Sequence, residues 1–352
     1  MNLITRTRSR VALAASVLAV TSLGLTASAA VATPEVVKTI TVGDWAKEVC
    51  FDGNFVWVAN SDGNSLSKID PSTQDVLATI STPVNEPDDL ACDGTYVFVD
   101  YYSSSSVSQL DPTTGAVLAT YTVGTSPDGL LSDGTNLWVA NSGDGTVQRI
   151  DIATGTTIAT IAGTTSPDEI AMDESNIYVT DADDGVVYII DMTTNTVTGS
   201  ITVGSGPDGI AVSGTTAWVA NESDNTVSMV DLATKTALKT ITVGAGPKDI
   251  AVHGKYVWVP NADDGTVTVL DSTTGDFIAT ITVGKGASSV AADDTHAWVS
   301  NPDDGTVSVI MEPETLASTG YHGVPTVITG LSLALVGGLF VLVGRRRSAT
   351  TL

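Results

Sequence analysis

Side chains able to do chemistry recur at short turns throughout this sequence. Lys47-Glu48, Asp88-Asp89, Asp128, Asp168-Glu169, Asp208, Lys248-Asp249 and Ser288-Ser289 follow one another at steps of 40 or 41 residues. Eight of these are acids and two are lysines. Gathered in one place, such a set would hold a cation or an amine-bearing ligand through its charge. Their even spacing places them together at one rim, and the plainer reading adopted from sequence is that even there they are solvated turn residues. Histidine is scarce: His253, His296 and His322 are the only three, and no two have the spacing to cooperate. There is no Ser-His-Asp arrangement and no metal-type Cys/His set, so no catalytic residue, metal or cofactor is assigned.

Acid-rich Asp-Gly steps at residues 141–145, 181–185, 261–265 and 301–305 suggest calcium. A helix–loop–helix calcium loop needs Glu eleven positions after its first Asp, yet Met192 stands at that offset from Asp181. Asp-Gly between two strands is already explained as hairpin chemistry.

The elements that carry these residues repeat. An aromatic followed by Val occurs at Trp57, Phe98, Trp138, Tyr178, Trp218, Trp258 and Trp298, spaced by 41 and then by 40 five times. Ile40, Ile80, Tyr121, Ile161, Ile201, Ile241 and Ile281 keep the same period, and a turn Asp recurs at 70, 111, 151, 191, 231 and 271. Within one unit, residues 209–212, 217–220, 226–230 and 237–243 read as four short strands separated by turns. The turn Asp should cap free backbone N–H groups, and the residue four positions on (Gly115, Gly155, Asn195, Gly275) suits a left-handed conformation. Four strands per forty residues without a helix predict an all-β propeller of seven four-stranded antiparallel blades. Seven copies of the first three strands are present but only six turn Asp, with Met311 in the seventh place. The N-terminal segment 36–43 matches a fourth strand, so it should complete the last blade and close the ring.

The repeats resemble YVTN-type units, which build seven-bladed propellers; the likeness covers residues 35–311 and implies a fold rather than an activity. Residues 1–29 have the basic start, apolar middle and Ala27-Ser28-Ala29 site of a cleaved signal peptide. After a short linker, 312–315, come Leu316, Ala317, Ser318, Thr319 and Gly320, then an apolar stretch 324–343 and a basic tail 344–352 holding Arg345, Arg346 and Arg347. Twenty helical residues reach about 30 Å, one hydrocarbon thickness, and the arginines would stay on the cytoplasmic side. This order resembles the cell-wall sorting signal of Gram-positive surface proteins. In that family a sortase cleaves between Thr and Gly and passes the chain to a peptidoglycan amine. The resemblance implies Thr319 as the linked residue, with Ala317 where the commonest signal has Pro. The expected location is therefore the cell wall, or the membrane through the C-terminal helix before sorting.

Charge narrows the partners. The formal net charge is −25, and between the two ends nine Lys and Arg stand against forty Asp and Glu. Such a surface repels phosphate backbones, so nucleic acid is not an expected partner. Departures from the repeat mark an expected ligand face on blades 1 and 2: Trp45, Lys47, Glu86, Asp88, Tyr101 and Tyr102, whose aromatics, acids and hydroxyls would suit a glycan or a protein. Cys50 aligns with Ala91 and Cys92 with Phe51, on neighbouring inner strands and with opposite parity. A disulfide joining two blades is expected, the alternative being two buried free thiols. Function reads as a non-catalytic surface binding module; a metal-dependent lactonase or lyase at the channel mouth is the competing class.

Overall fold

The computed structural model describes residues 33–312. Twenty-eight strands in that span form seven separate four-stranded antiparallel sheets, the blades of a propeller, numbered here from the blade of Trp57. Blade 3 shows the pattern. Pro127–Ser132 lies innermost, followed by Asn136–Asn141, Thr146–Asp151 and the outer strand Thr157–Ala162. Every residue of Asn136–Asn141 is buried because neighbouring blades cover both faces of the strand. The outer strand instead exposes alternate residues and turns Ile161 inward.

Blade 7 is assembled from both ends of the propeller. Glu35–Thr41 pairs with Thr306–Met311, Glu35 opposite Met311 and Thr41 opposite Thr306. Ile40 is buried there among Trp298, Val307 and Val309. The ring thus closes without a free edge in any blade interior. Inner strands run away from the rim where they begin, second strands return and third strands run away again. Met311 and Glu35 therefore lie at the end remote from that rim, where the Glu312 N–H is held by the Thr295 carbonyl at 2.9 Å.

Three side-chain devices repeat around the ring. The turn Asp behaves as expected: Asp111 Oδ1 accepts the N–H groups of Thr113 and Thr114 at 2.8 and 2.9 Å, and Gly115 has φ 72°. A second Asp, unremarked in the sequence, locks the buried Trp row. Asp52 Oδ2 takes the indole N–H of Trp57 at 2.8 Å while its Oδ1 takes the N–H groups of Asn54 and Phe55. Asp133 and Asp293 do the same for Trp138 and Trp298. In blades 5 and 6 the aligned residues are Ser213 and His253, and the indole N–H groups of Trp218 and Trp258 have no partner among the described residues. The third device pairs Asn141 with Gly124, whose N–H reaches Asn141 Oδ1 at 2.9 Å. A Cβ at Gly124 would lie 2.6 Å from Asn141 Cγ, so space requires the glycine.

Cys50 and Cys92 have their sulfurs 2.00 Å apart and their Cα atoms 5.8 Å apart, in the apolar contact of blades 1 and 2 with Trp57 and Leu90. Residues 1–29, the sorting motif 316–320, the apolar stretch 324–343, the tail 344–352 and His322 lie outside the described residues. Among the described residues no helix is long and apolar enough to cross a membrane.

Candidate functional site: the acidic mouth of the channel

The recurrent turn residues converge. They line a cavity of about 260 Å³ at the channel mouth, and they do so as two stacked seven-membered rings. The outer ring runs Lys47, Asp88, Asp128, Asp168, Asp208, Lys248 and Ser288 through blades 1 to 7. One residue deeper runs Glu48, Asp89, Gly129, Glu169, Gly209, Asp249 and Ser289. Consecutive strand residues ordinarily point to opposite faces. Here the register slips where each inner strand of blades 1 to 5 begins, for instance between Pro127 and Leu130. Such a bulge re-aims side chains, and in blades 1, 2 and 4 both neighbours reach the cavity, as Lys248 and Asp249 also do ahead of the inner strand of blade 6. Gly129 is small for another reason: a Cβ there would meet the Asp168 carbonyl oxygen at 2.2 Å.

The reading of these acids as solvated turns is therefore corrected. Apart from Asp249, which precedes Ala251–His253, they lie at the start of the inner strands rather than in exposed loops, and Asp88 and Asp89 are buried. The deep ring is held by backbone donors. Asp89 accepts the N–H groups of Leu90 and Leu130, both at 2.6 Å, the second from the next blade. Asp249 accepts Val290 N–H at 2.8 Å and the Ser289 hydroxyl at 3.1 Å, and the same hydroxyl lies against Glu48. The Glu169 carboxyl has no hydrogen bond to any described residue, while its own N–H is taken by Thr180 at 2.9 Å. Burial dominates the electrostatics. It pushes Asp89 up to about 8 in spite of its donors. Burial first, then Asp89 and Asp249, raises Glu48 well above the carboxylate range, and burial with Asp89 and Glu48 does the same to Glu169.

The outer ring is polarised. Lys248, Ser288 and Lys47 occupy consecutive blades 6, 7 and 1, and four aspartates fill blades 2 to 5. The lysines lean onto the two ends of that arc. Lys47 pairs with Asp88, and Lys248 pairs with Asp208 at 3.2 Å and Glu222 at 2.7 Å. Burial works against the charge on Lys47, but Asp88 and Asp128 outweigh it and raise its pKa. Burial lifts Asp208 to about 6, with Lys248 opposing. Asp128 and Asp168, in the middle of the arc, form no ion pair with a described residue, and burial raises both.

Asp100 completes the site and was not singled out in the sequence. It is buried behind the rings, takes the Asp89 N–H on Oδ1 at 2.7 Å and leaves Oδ2 without a described partner. Its signal was visible: it stands in the column of Ala59, Ala140 and Ala220, where an acid is out of place.

The expected ligand face on blades 1 and 2 divides. Lys47 and Asp88 belong to the channel. Tyr101 is corrected to a core residue, 0% exposed, with its hydroxyl on Ser108 at 3.2 Å; it occupies the column of the buried Asn141 and points inward for the same reason. Tyr102 is 47% exposed on the blade-2 hairpin, which Glu86 joins through Ser103 at 3.1 Å. Trp45 is 45% exposed and turns toward blades 6 and 7, beside Asp263, Pro302 and Asp303. His253 and His296 share a pocket near Phe51 at the remote end, but they bond separately, His253 to Glu312 at 3.2 Å and His296 to Gln74 at 3.3 Å. Neither lines the channel. Among the described residues no group of three or more His, Cys, Asp or Glu is arranged to hold a metal ion.

No family model matches the chain, and no curated protein matches it. Among solved structures the propeller is similar to hydrazine synthase of Kuenenia stuttgartiensis, with a TM-score of 0.67 and 20% identity over 77% of this chain and 96% of that one. At that identity the likeness shows the fold alone. Matches extend to 1420 solved chains, and a fold so widely used assigns no chemistry by itself.

Proposed function

We propose that this chain is an exported, wall-anchored, non-catalytic binding module whose ligand site is the acidic channel mouth, and that the ligand presents an ammonium group. The observation that carries the reading is the pair of stacked rings: eight carboxylates and two lysines around one small cavity, with Asp128 and Asp168 unpaired by any described cation. An ammonium seated there replaces the protons that burial otherwise forces onto the acids. The anchoring half rests on the order of sorting motif, apolar stretch and basic tail in residues 316–352.

Two measurements test these halves. Wall digests should release a fragment ending in Thr319 joined to peptidoglycan; a chain that stays wholly detergent-soluble and keeps residues 345–347 would overturn the anchoring. In calorimetry at pH 7.5 the full chain should bind putrescine but not uncharged butanediol, with affinity rising from pH 5 to pH 8 as the acids ionise. Replacing Asp128 and Asp168 together by Asn should weaken putrescine at least about tenfold, roughly 1.4 kcal/mol. Equal binding of the two probes would refute the ammonium site, and tight calcium binding in place of putrescine would revive the metal-dependent class.

A further inference from the structure

Beside the channel mouth lies a second cavity of about 340 Å³, and its wall is unlike the rest of the rim. It shares Lys47, Lys248 and Ser288 with the channel, so the two spaces are continuous across the one sector of the outer ring that carries no acid. Trp45 forms its far side. Blades 5, 6 and 7 place Gly206, Gly246 and Gly286 in this column, each with positive φ, and Trp45 holds the same left-handed conformation at φ 56°. A bulky side chain in that conformation is a genuine outlier. Its backbone is nevertheless held, because the Trp45 carbonyl accepts the Ser61 N–H at 2.9 Å, while the indole stays half in solvent.

We infer that the Trp45 cavity is a subsite for a sugar ring whose amino group enters the channel, so that the ligand class is an amino-sugar glycan. The inference rests on the ammonium reading of the channel and adds the flat group attached to it. A rigid, half-exposed indole offers an apolar face to the C–H side of a pyranose. Asp263 and Asp303 at the cavity edge supply acceptors for hydroxyls. Across Ser288, the shortest side chain of the outer ring, the ammonium substituent faces the channel, whose eight acids attract it through their summed field, while Lys47 and Lys248 on either side are engaged by Asp88 and Asp208. An N-acetylated ring would place an uncharged group against buried carboxylates and lose that attraction.

The experiment uses the full chain and a glucosamine tetramer, with its N-acetylated counterpart and putrescine as comparators. Five of the six tryptophans are fully buried, so acrylamide quenching of intrinsic fluorescence reports on Trp45. The glucosamine tetramer should protect Trp45 from acrylamide and bind at least about tenfold more tightly than the acetylated one. The variant Trp45→Gly removes the indole and suits the left-handed backbone, so it should fold at least as well as the parent. It should lose about tenfold in tetramer affinity while binding putrescine unchanged. Equal tetramer affinity in parent and variant, or equal affinity for the two tetramers, overturns the inference and leaves the channel reading intact. Absence of putrescine binding overturns the channel reading and, with it, the placement of the amino group, even where the glucosamine tetramer still protects Trp45.

Discussion

A chain lacking residues 35–41 is expected to lose its cooperative thermal transition and to aggregate. The strand removed is the outer strand of blade 7 and the covalent link from that blade to blade 1, whose inner strand otherwise meets blade 7 only through non-covalent contacts such as the Ser300 hydroxyl on the Lys47 carbonyl at 2.7 Å. Without it Thr306–Met311 becomes an open edge, a ready template for pairing with another chain. The cluster of Trp298, Val307 and Val309 also loses Ile40. Deleting one buried Ile side chain costs about 2–5 kcal/mol, and whole domains are stable by only about 5–15 kcal/mol. The milder variant Ile40→Ala should therefore stay folded and melt lower by at least several degrees. A synthetic peptide spanning residues 33–42 should restore the transition of the truncated chain. A melting temperature unchanged by the deletion, followed by circular dichroism, would show that closure contributes nothing to stability.

The second large effect is an inverted dependence of stability on pH. For a buried acid whose folded pKa lies above its unfolded value, the folded state binds the proton more tightly. Its contribution is then fully present at low pH and lost as pH rises from about 4 through the folded pKa. Burial places Asp208 at about 6 and Asp89 at about 8, and raises Glu48, Asp168, Glu169 and Asp249 as well. The half-buried turn acids Asp70, Asp111, Asp151, Asp191, Asp231 and Asp271 act oppositely: backbone and hydroxyl donors lower them, so their contribution disappears only in acid. The melting temperature should thus peak near pH 5 and fall toward pH 8. Glu169→Gln, which removes a charge that no described donor satisfies, should recover about 1–3 kcal/mol at pH 8 and change little at pH 4.5. Putrescine should stabilise the parent at pH 8 far more than at pH 5. A melting temperature that rises steadily from pH 5 to pH 8 would mean the channel acids are solvated after all.

Blade number, strand order and ring closure were legible from spacing, because each buried aromatic, each turn Asp and each left-handed residue answers to its own few neighbours. The missing seventh turn at Met311 and the surplus strand at the N-terminus complement each other along the chain, so closure is legible in the sequence. Column membership also carried Asp100 and Tyr101, although neither was read that way: both stand on the strand that every blade buries. The character of the channel mouth was a different matter. Asp128 and its six counterparts form a ring only when seven blades meet, and the strand-start bulge that lets Asp168 and Glu169 face the same space overrides the alternation that sequence reasoning assumes. Solvation is decided by what the neighbouring blades leave open, so an acid at the head of a strand reads as a wet turn until its six neighbours close around it. Trp45 is the same case in reverse: its column explains the backbone, while the cavity it overlooks belongs to blades almost a full circuit further along the chain.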